Sequence, residues 1–280
     1  MYTETTVGDV VRPNSRIFDS SLDGELELLD FIRQKKDEML MSRASFHNFH
    51  LHMRELEKIL LRKNVENSLQ SRAVAFLEAA ELTLLNNLYC VWETNLENRF
   101  VSFLKQGIVK HYLDYPLYAR FERLIEREVS LLKGFQPKRL LFIGSGPMPI
   151  TALCLQHRLG SRIDCLERNL DAVNESKVVM KLLGCQNDIN IIHGEGETID
   201  ASGYDVVLVA LLAKPKHKIL SSIRDSADDN VKIICRTSEG SRTVFYEPTM
   251  DNAIPAGLKE TGHELAGIDD TISSYLLQKG

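Results

Sequence analysis

The stretch LLFIGSGPMPIT, Leu140–Thr151, decides the fold. Its first four residues are apolar without alternation, the mark of a strand buried on both faces. The strand is read as Arg139–Ile143 (RLLFI). The chain then leaves it through Gly144-Ser145-Gly146-Pro147 and enters a helix read over Ile150–Leu159. Gly144 and Gly146 supply the unusual dihedrals and the close backbone approach that a ligand-binding turn requires. Pro149 suits a helix start, where a missing N–H costs little. It also stands where a dinucleotide turn carries its third glycine, which argues against a nicotinamide pyrophosphate.

Downstream, short apolar runs alternate with amphipathic stretches. Strands are expected at Arg162–Leu166, Ile189–His193, Asp205–Ala210 and Val231–Cys235, with a helix at Leu170–Leu183. That alternation predicts an α/β fold, a Rossmann-like parallel sheet with helices on both faces. Upstream the period changes. Phe46, Phe49, Met53, Leu56 and Leu60 form one helical stripe; Ala73, Leu77, Ala80, Leu84, Leu88 and Val91 form another. Further helices are expected over Glu25–Met41 and Leu117–Leu132. The change near Pro137 predicts two domains: an all-α bundle or cap over 1–133 and the Rossmann-like domain over 134–280.

Glu167 follows the second strand about 20 residues after the turn, where an acid accepts hydrogen bonds from ribose hydroxyls. Gly194-Glu195-Gly196 follows the third strand at the same sheet edge. The expected cofactor site is therefore Gly144, Ser145, Gly146, Pro147, Glu167, Gly194, Glu195 and, at the end of the fourth strand, Ala210. A nucleoside-type cofactor fits this set.

Composition narrows the class. The 280 residues are 44% hydrophobic and 26% charged, as in ordinary globular proteins. A net charge of −5 without a long basic run argues against nucleic-acid binding. The absence of an apolar run of about 18 residues argues against a membrane span. The opening MYTETTVGDVV lacks a signal-peptide pattern. The scattered Cys90, Cys154, Cys165, Cys185 and Cys235 suit thiols in a reducing cytoplasm. His47 and His50 stand three apart on a helix, but no acid or cysteine completes a zinc set, so they are read as surface histidines and no metal is expected.

Four segments in order, YPLY (115–118), IGSGPMPIT (143–151), DVVLVALLAKPKHKIL (205–220) and IICRTSEGSRTVFYEP (233–248), closely resemble nicotianamine synthase and its bacterial relatives that make opine metallophores of the staphylopine, pseudopaline and yersinopine type. The resemblance runs from about Leu84 to the C-terminus. It implies an enzyme that moves the 3-amino-3-carboxypropyl (aminobutyrate) arm of S-adenosylmethionine, a co-substrate, onto an amine and releases 5′-methylthioadenosine. It implies histidine as acceptor, L-histidine favoured, with an opine dehydrogenase as functional partner; a homodimer is allowed for. The alternatives are a nicotianamine synthase using several S-adenosylmethionine molecules, a small-molecule methyltransferase, and a non-catalytic binding module.

The resemblance also implies roles for single residues. Glu93 reads by itself as a solvated helix acid; the resemblance places it beside the reacting amine, and Tyr89 and Asn86 on neighbouring turns suggest a polar face. Tyr115 and Tyr118 read either as hinge aromatics or, with Glu93, as the catalytic group bordering the arm and amine. Arg236 and Arg242 fit a substrate carboxylate or a strand-end ion pair equally. Leu211, with Leu212 and Ala213, is expected to form an apolar wall around the substrate.

Overall fold

The computed structural model describes residue 18 and residues 21–62, 68–249 and 251–280. The N-terminal stretch read above for a signal pattern lies outside them. Among the described residues five α-helices precede the first strand: α1 (Leu22–Met41), α2 (Phe46–Leu60), α3 (Leu69–Ala75), α4 (Ala79–Lys105) and α5 (Tyr118–Leu131). The second apolar stripe, expected to be continuous, is broken between α3 and α4. Glu78 caps α4, and Glu81 closes a reciprocal capping box that starts a new helix there. The buried face of α4 is accordingly rotated to Leu85, Leu88, Tyr89, Trp92 and Leu96, while Val91 is exposed.

The α/β part follows as β1 (Arg139–Ile143), α6 (Ile150–Leu159), β2 (Arg162–Glu167), α7 (Leu170–Leu182), β3 (Ile189–His193), β4 (Val206–Val209), α8 (Lys216–Ser226), β5 (Lys232–Thr237), β6 (Leu258–Glu264) and β7 (Ser273–Lys279). The sheet order is β3-β2-β1-β4-β5-β7-β6. The first five strands are parallel, and β7 pairs antiparallel with both β5 and β6. This is the Rossmann-like sheet expected from the alternation, extended by a hairpin that was not. β6 is mostly polar and exposed, as suits an edge strand, and therefore lacks the apolar run that marks a buried one.

Alternation along β1 explains the layering. Leu140 and Phe142 join a core that also takes in α1, α4 and α5, whereas Leu141 and Ile143 pack with Ile219, Leu220 and Ile223 of α8. The first core is continuous from Leu28 to Leu276, so helical and α/β parts share one apolar interior. β1 lies between β2 and β4, where strand order reverses. The crevice outside the C-terminal ends of these strands is the ligand position such sheets create.

Candidate active site

A cleft of about 400 Å³ opens at that reversal. Its floor is the turn Gly144–Pro147, one side is Glu167 to Asn169 with Gly194 to Gly196, and the roof is Glu93, Thr94 and Glu97 of α4. Gly144 and Gly146 have φ of +85° and +69°, dihedrals that side chains oppose. A Cβ on Gly144 would lie 3.1 Å from Ala213 Cβ and 3.2 Å from Ala210 Cβ; one on Gly146 would lie 3.1 Å from Glu97 Oε2. The turn is thus pressed between the end of β4 below and a helix carboxylate above.

Glu167 holds the turn. Its Oε2 accepts from the Gly146 N–H at 2.9 Å and its Oε1 from the Asn169 N–H at 2.9 Å. The Ser145 hydroxyl is buried and has no hydrogen-bond partner among the described residues, so the floor keeps an unsatisfied polar group at the cleft. Four carboxylates line the cleft (Glu93, Glu97, Glu167 and Glu195) against the cations Arg168 and Lys214. That balance favours a cationic ligand and disfavours a pyrophosphate.

Glu93 is half-buried and accepts a hydrogen bond from the Tyr246 hydroxyl at Oε2. Burial pushes its carboxyl up to about 7, with the Tyr246 bond and the Arg120 charge working the other way. Glu97 stands one turn further along α4. Desolvation, with the charges of Glu93 and Glu167, raises it well above the carboxylate range. Neither Glu97 nor Tyr246 was singled out by sequence reasoning. The spacing of four that puts Glu97 on the face of Glu93 was the available signal for the first, and membership of the last resemblance segment for the second.

The structure brings Glu93, Gly144, Ser145, Gly146, Pro147, Glu167, Gly194 and Glu195 together in one cleft. It separates others. Ala210 packs beneath Gly144 and does not line the cleft; its carbonyl accepts from the buried Lys216 ammonium. Leu211 belongs to the core, and Leu212 and Ala213 supply the wall instead. Tyr115 is buried between the rings of Phe100 and Phe121, behind the two helix acids. Tyr118 turns away: its hydroxyl donates to Glu122 at 3.1 Å. Tyr89 and Asn86 face inward rather than to a polar surface, the first donating to Glu57 at 2.7 Å and the second to the Thr243 and Val244 carbonyls.

Both arginines offered for a substrate carboxylate or a strand-end ion pair are engaged in the interior, and the carboxylate role falls away. Arg236 makes a two-pronged pair with Glu128, at 2.8 and 2.9 Å, and donates to Thr151 at 3.0 Å. Arg242 is fully buried and donates to the carbonyls of Asp270 and Gly267 at 3.2 and 3.0 Å. Their side chains satisfy buried acceptors, and neither reaches the cleft. His50 is not a surface histidine: its Nδ1 accepts from Trp92 at 3.1 Å. The grouping Glu38, His52 and Glu55 already holds a cation, the Lys35 ammonium, 2.6 Å from Glu38 and paired with Glu55.

No single helix among the described residues is long and apolar enough to cross a membrane. The family model for nicotianamine synthase protein matches residues 62–263. The chain is 28% identical to nicotianamine synthase 3 of Arabidopsis thaliana over 209 residues, covering 67% of this chain and 63% of that protein. It is 25% identical to L-histidine 2-aminobutanoyltransferase of Yersinia pestis over 128 residues, covering 46% of this chain and 48% of that one. The matched stretches span about half to just under two thirds of these relatives. A crystal structure of a glutamate-to-glutamine mutant of MtNAS in complex with S-adenosylmethionine superposes with a TM-score of 0.78 at 25% identity, over 90% of this chain and 98% of the other. With the family model matching well over half its residues, the chain belongs to the nicotianamine synthase family.

Proposed function

We propose that the chain transfers the aminobutyrate arm of S-adenosylmethionine to the amine of histidine, releasing 5′-methylthioadenosine. The observation that carries this reading is one cleft holding both a nucleoside-type glycine turn and a carboxylate, Glu93, pushed up to about 7. A general base works best with a pKa near the operating pH. The acidic lining suits a ligand with a sulfonium and an ammonium. Glu167, freed from the Gly146 N–H, is the acceptor for ribose hydroxyls, and the Ser145 hydroxyl is an available partner for the ligand. Residues 1–133 act as the cap that brings Glu93 over residues 134–280.

In the transfer the acceptor amine attacks the arm carbon bound to sulfur. The C–S bond breaks with its electron pair staying on sulfur, which neutralises the sulfonium, and the amine's proton passes to Glu93. Tyr246 holds the Glu93 carboxylate, and Tyr115 backs the acids through packing. Histidine rests on the Yersinia pestis relative and on the resemblance segments. The product, an amine still carrying carboxylates, is then the substrate of a partner dehydrogenase, which condenses it with a keto acid with loss of water and reduces the imine with hydride from a reduced nicotinamide.

Mass spectrometry of the protein incubated with S-adenosylmethionine and each amino acid tests the reading. The expected result is 5′-methylthioadenosine together with histidine bearing one aminobutyrate arm. S-adenosylhomocysteine as the main product would replace it with methyl transfer, and several arms joined together without histidine would make it a nicotianamine synthase.

A further inference from the structure

Glu97 is a carboxylate without a counter-cation. It lines the cleft roof and has no hydrogen bond or ion pair among the described residues. Its Oε2 lies 3.1 Å from where a Cβ on Gly146 would be, so it packs directly on the glycine turn. The fully buried helix acids differ from this half-buried one: Glu57 is paired with Arg120 and Arg54, and Glu128 with Arg236. Leaving a carboxylate desolvated and unpaired is costly unless a ligand supplies the partner. The cleft's own cations, Arg168 and Lys214, are used elsewhere: Arg168 donates to the Lys214 carbonyl at 3.4 Å, and the Lys214 ammonium pairs with Glu247.

Glu93 and Glu97 sit one helical turn apart, one beside Tyr246 and the other above Gly146. They therefore address different parts of a bound molecule. Glu97 is the carboxylate nearer the glycine turn, and Glu93 lies beyond it. We propose that Glu97 selects the donor by its charge: the carboxylate over Gly146 takes the ammonium of the S-adenosylmethionine arm and so separates the charged co-substrate from the neutral thioether it becomes. This rests on S-adenosylmethionine being the ligand of the cleft. The raised Glu97 carboxyl agrees with it, since a buried acid lacking its cation holds its proton. The assignment has a consequence for turnover: once the arm has left, 5′-methylthioadenosine no longer carries a group for Glu97, and the cleft releases it.

Three ligands dissect the contact. S-adenosylmethionine carries sulfonium and ammonium, S-adenosylhomocysteine only the ammonium, and 5′-methylthioadenosine neither. Dissociation constants for all three are measured by calorimetry on the wild type and on Glu97→Gln, which keeps the shape and removes the charge. Loss of a charge-assisted hydrogen bond predicts about ten- to hundredfold weaker binding of the first two ligands. Binding of 5′-methylthioadenosine should stay within about threefold, which also shows that the variant folds with its nucleoside pocket intact. Equal weakening of all three would make Glu97 a structural residue, and weakening of S-adenosylmethionine alone would assign it to the sulfonium; either overturns the proposal. Wild-type protein that binds none of the three would remove the co-substrate reading itself.

Discussion

Glu128 and Glu93 are both half-hidden or hidden helix glutamates, yet their surroundings are opposite. Glu128, on α5, is fully buried and satisfied on both oxygens: Arg236 donates to each, and the Ser274 hydroxyl adds a third bond at 2.8 Å. Glu93, on α4, has one bond, from Tyr246, and Glu97 beside it has none among the described residues. The first arrangement fixes α5 to β5, β7 and, through Thr151, to α6. The second leaves charge capacity facing a cleft. Burial alone does not separate a structural acid from a working one; the number of partners does.

The largest expected effect tests the working side. Glu93→Gln should lower turnover about 10²–10⁴-fold, the range for loss of a general base. The deficit should shrink as pH rises and the acceptor amine deprotonates unaided. Stability should move the other way. A carboxyl raised from 4.5 to about 7 on folding favours the folded state below pH 4.5, and that contribution is lost as pH rises through 7. At pH 8 the Gln variant should therefore be more stable than wild type by about 1–3 kcal/mol, allowing for partial solvent access, and the gap should close near pH 4. Urea titrations at the two pH values check this; a variant with normal turnover or lowered stability at pH 8 would place Glu93 with Glu128.

On the structural side, Glu128→Ala leaves Arg236 buried without its partner. The expected loss is about 3–5 kcal/mol of folding stability, read from denaturant midpoints. Any turnover that remains should scale with the folded fraction. Retained stability with abolished turnover would make Glu128 part of the site and erase the contrast.

The same contrast explains what the sequence disclosed. The glycine turn, Glu167 and the strand–helix alternation around them were legible because they are local: strand, turn and helix lie within a few residues and obey backbone rules. The break at Glu78 was also local, but a run of apolar residues on either side hid the capping box. Arg236 and Arg242 were left undecided because their type fits two roles, and only the partners brought by folding decide between them. Arg236 meets Glu128 from 108 residues away, a distance no spacing rule spans. Glu97 and Tyr246 were missed for the complementary reason. Glu97 is marked by the absence of a partner, and Tyr246 reaches Glu93 across 153 residues.

Tyr246 provides the smallest and most selective test. It is buried, and its own hydroxyl is held well above the usual tyrosine range by burial and by Glu93, so it donates to Glu93 throughout the working pH range. A donor to the ionised carboxylate favours ionisation and keeps Glu93 from rising further. Tyr246→Phe keeps the ring against Tyr89, 4.9 Å away between centroids, and removes only that donor. A net hydrogen bond of about 0.5–1.5 kcal/mol corresponds to a rise of roughly half to one pH unit in the Glu93 midpoint. The variant's kcat profile should therefore move to higher pH by that amount, with turnover reduced near pH 6.5 and nearly restored at pH 9. Profiles of variant and wild type are taken with one acceptor, so that the amine's own titration cancels. An unshifted profile with turnover uniformly lowered at all pH values would make Tyr246 a holder of geometry, with no part in setting when Glu93 ionises.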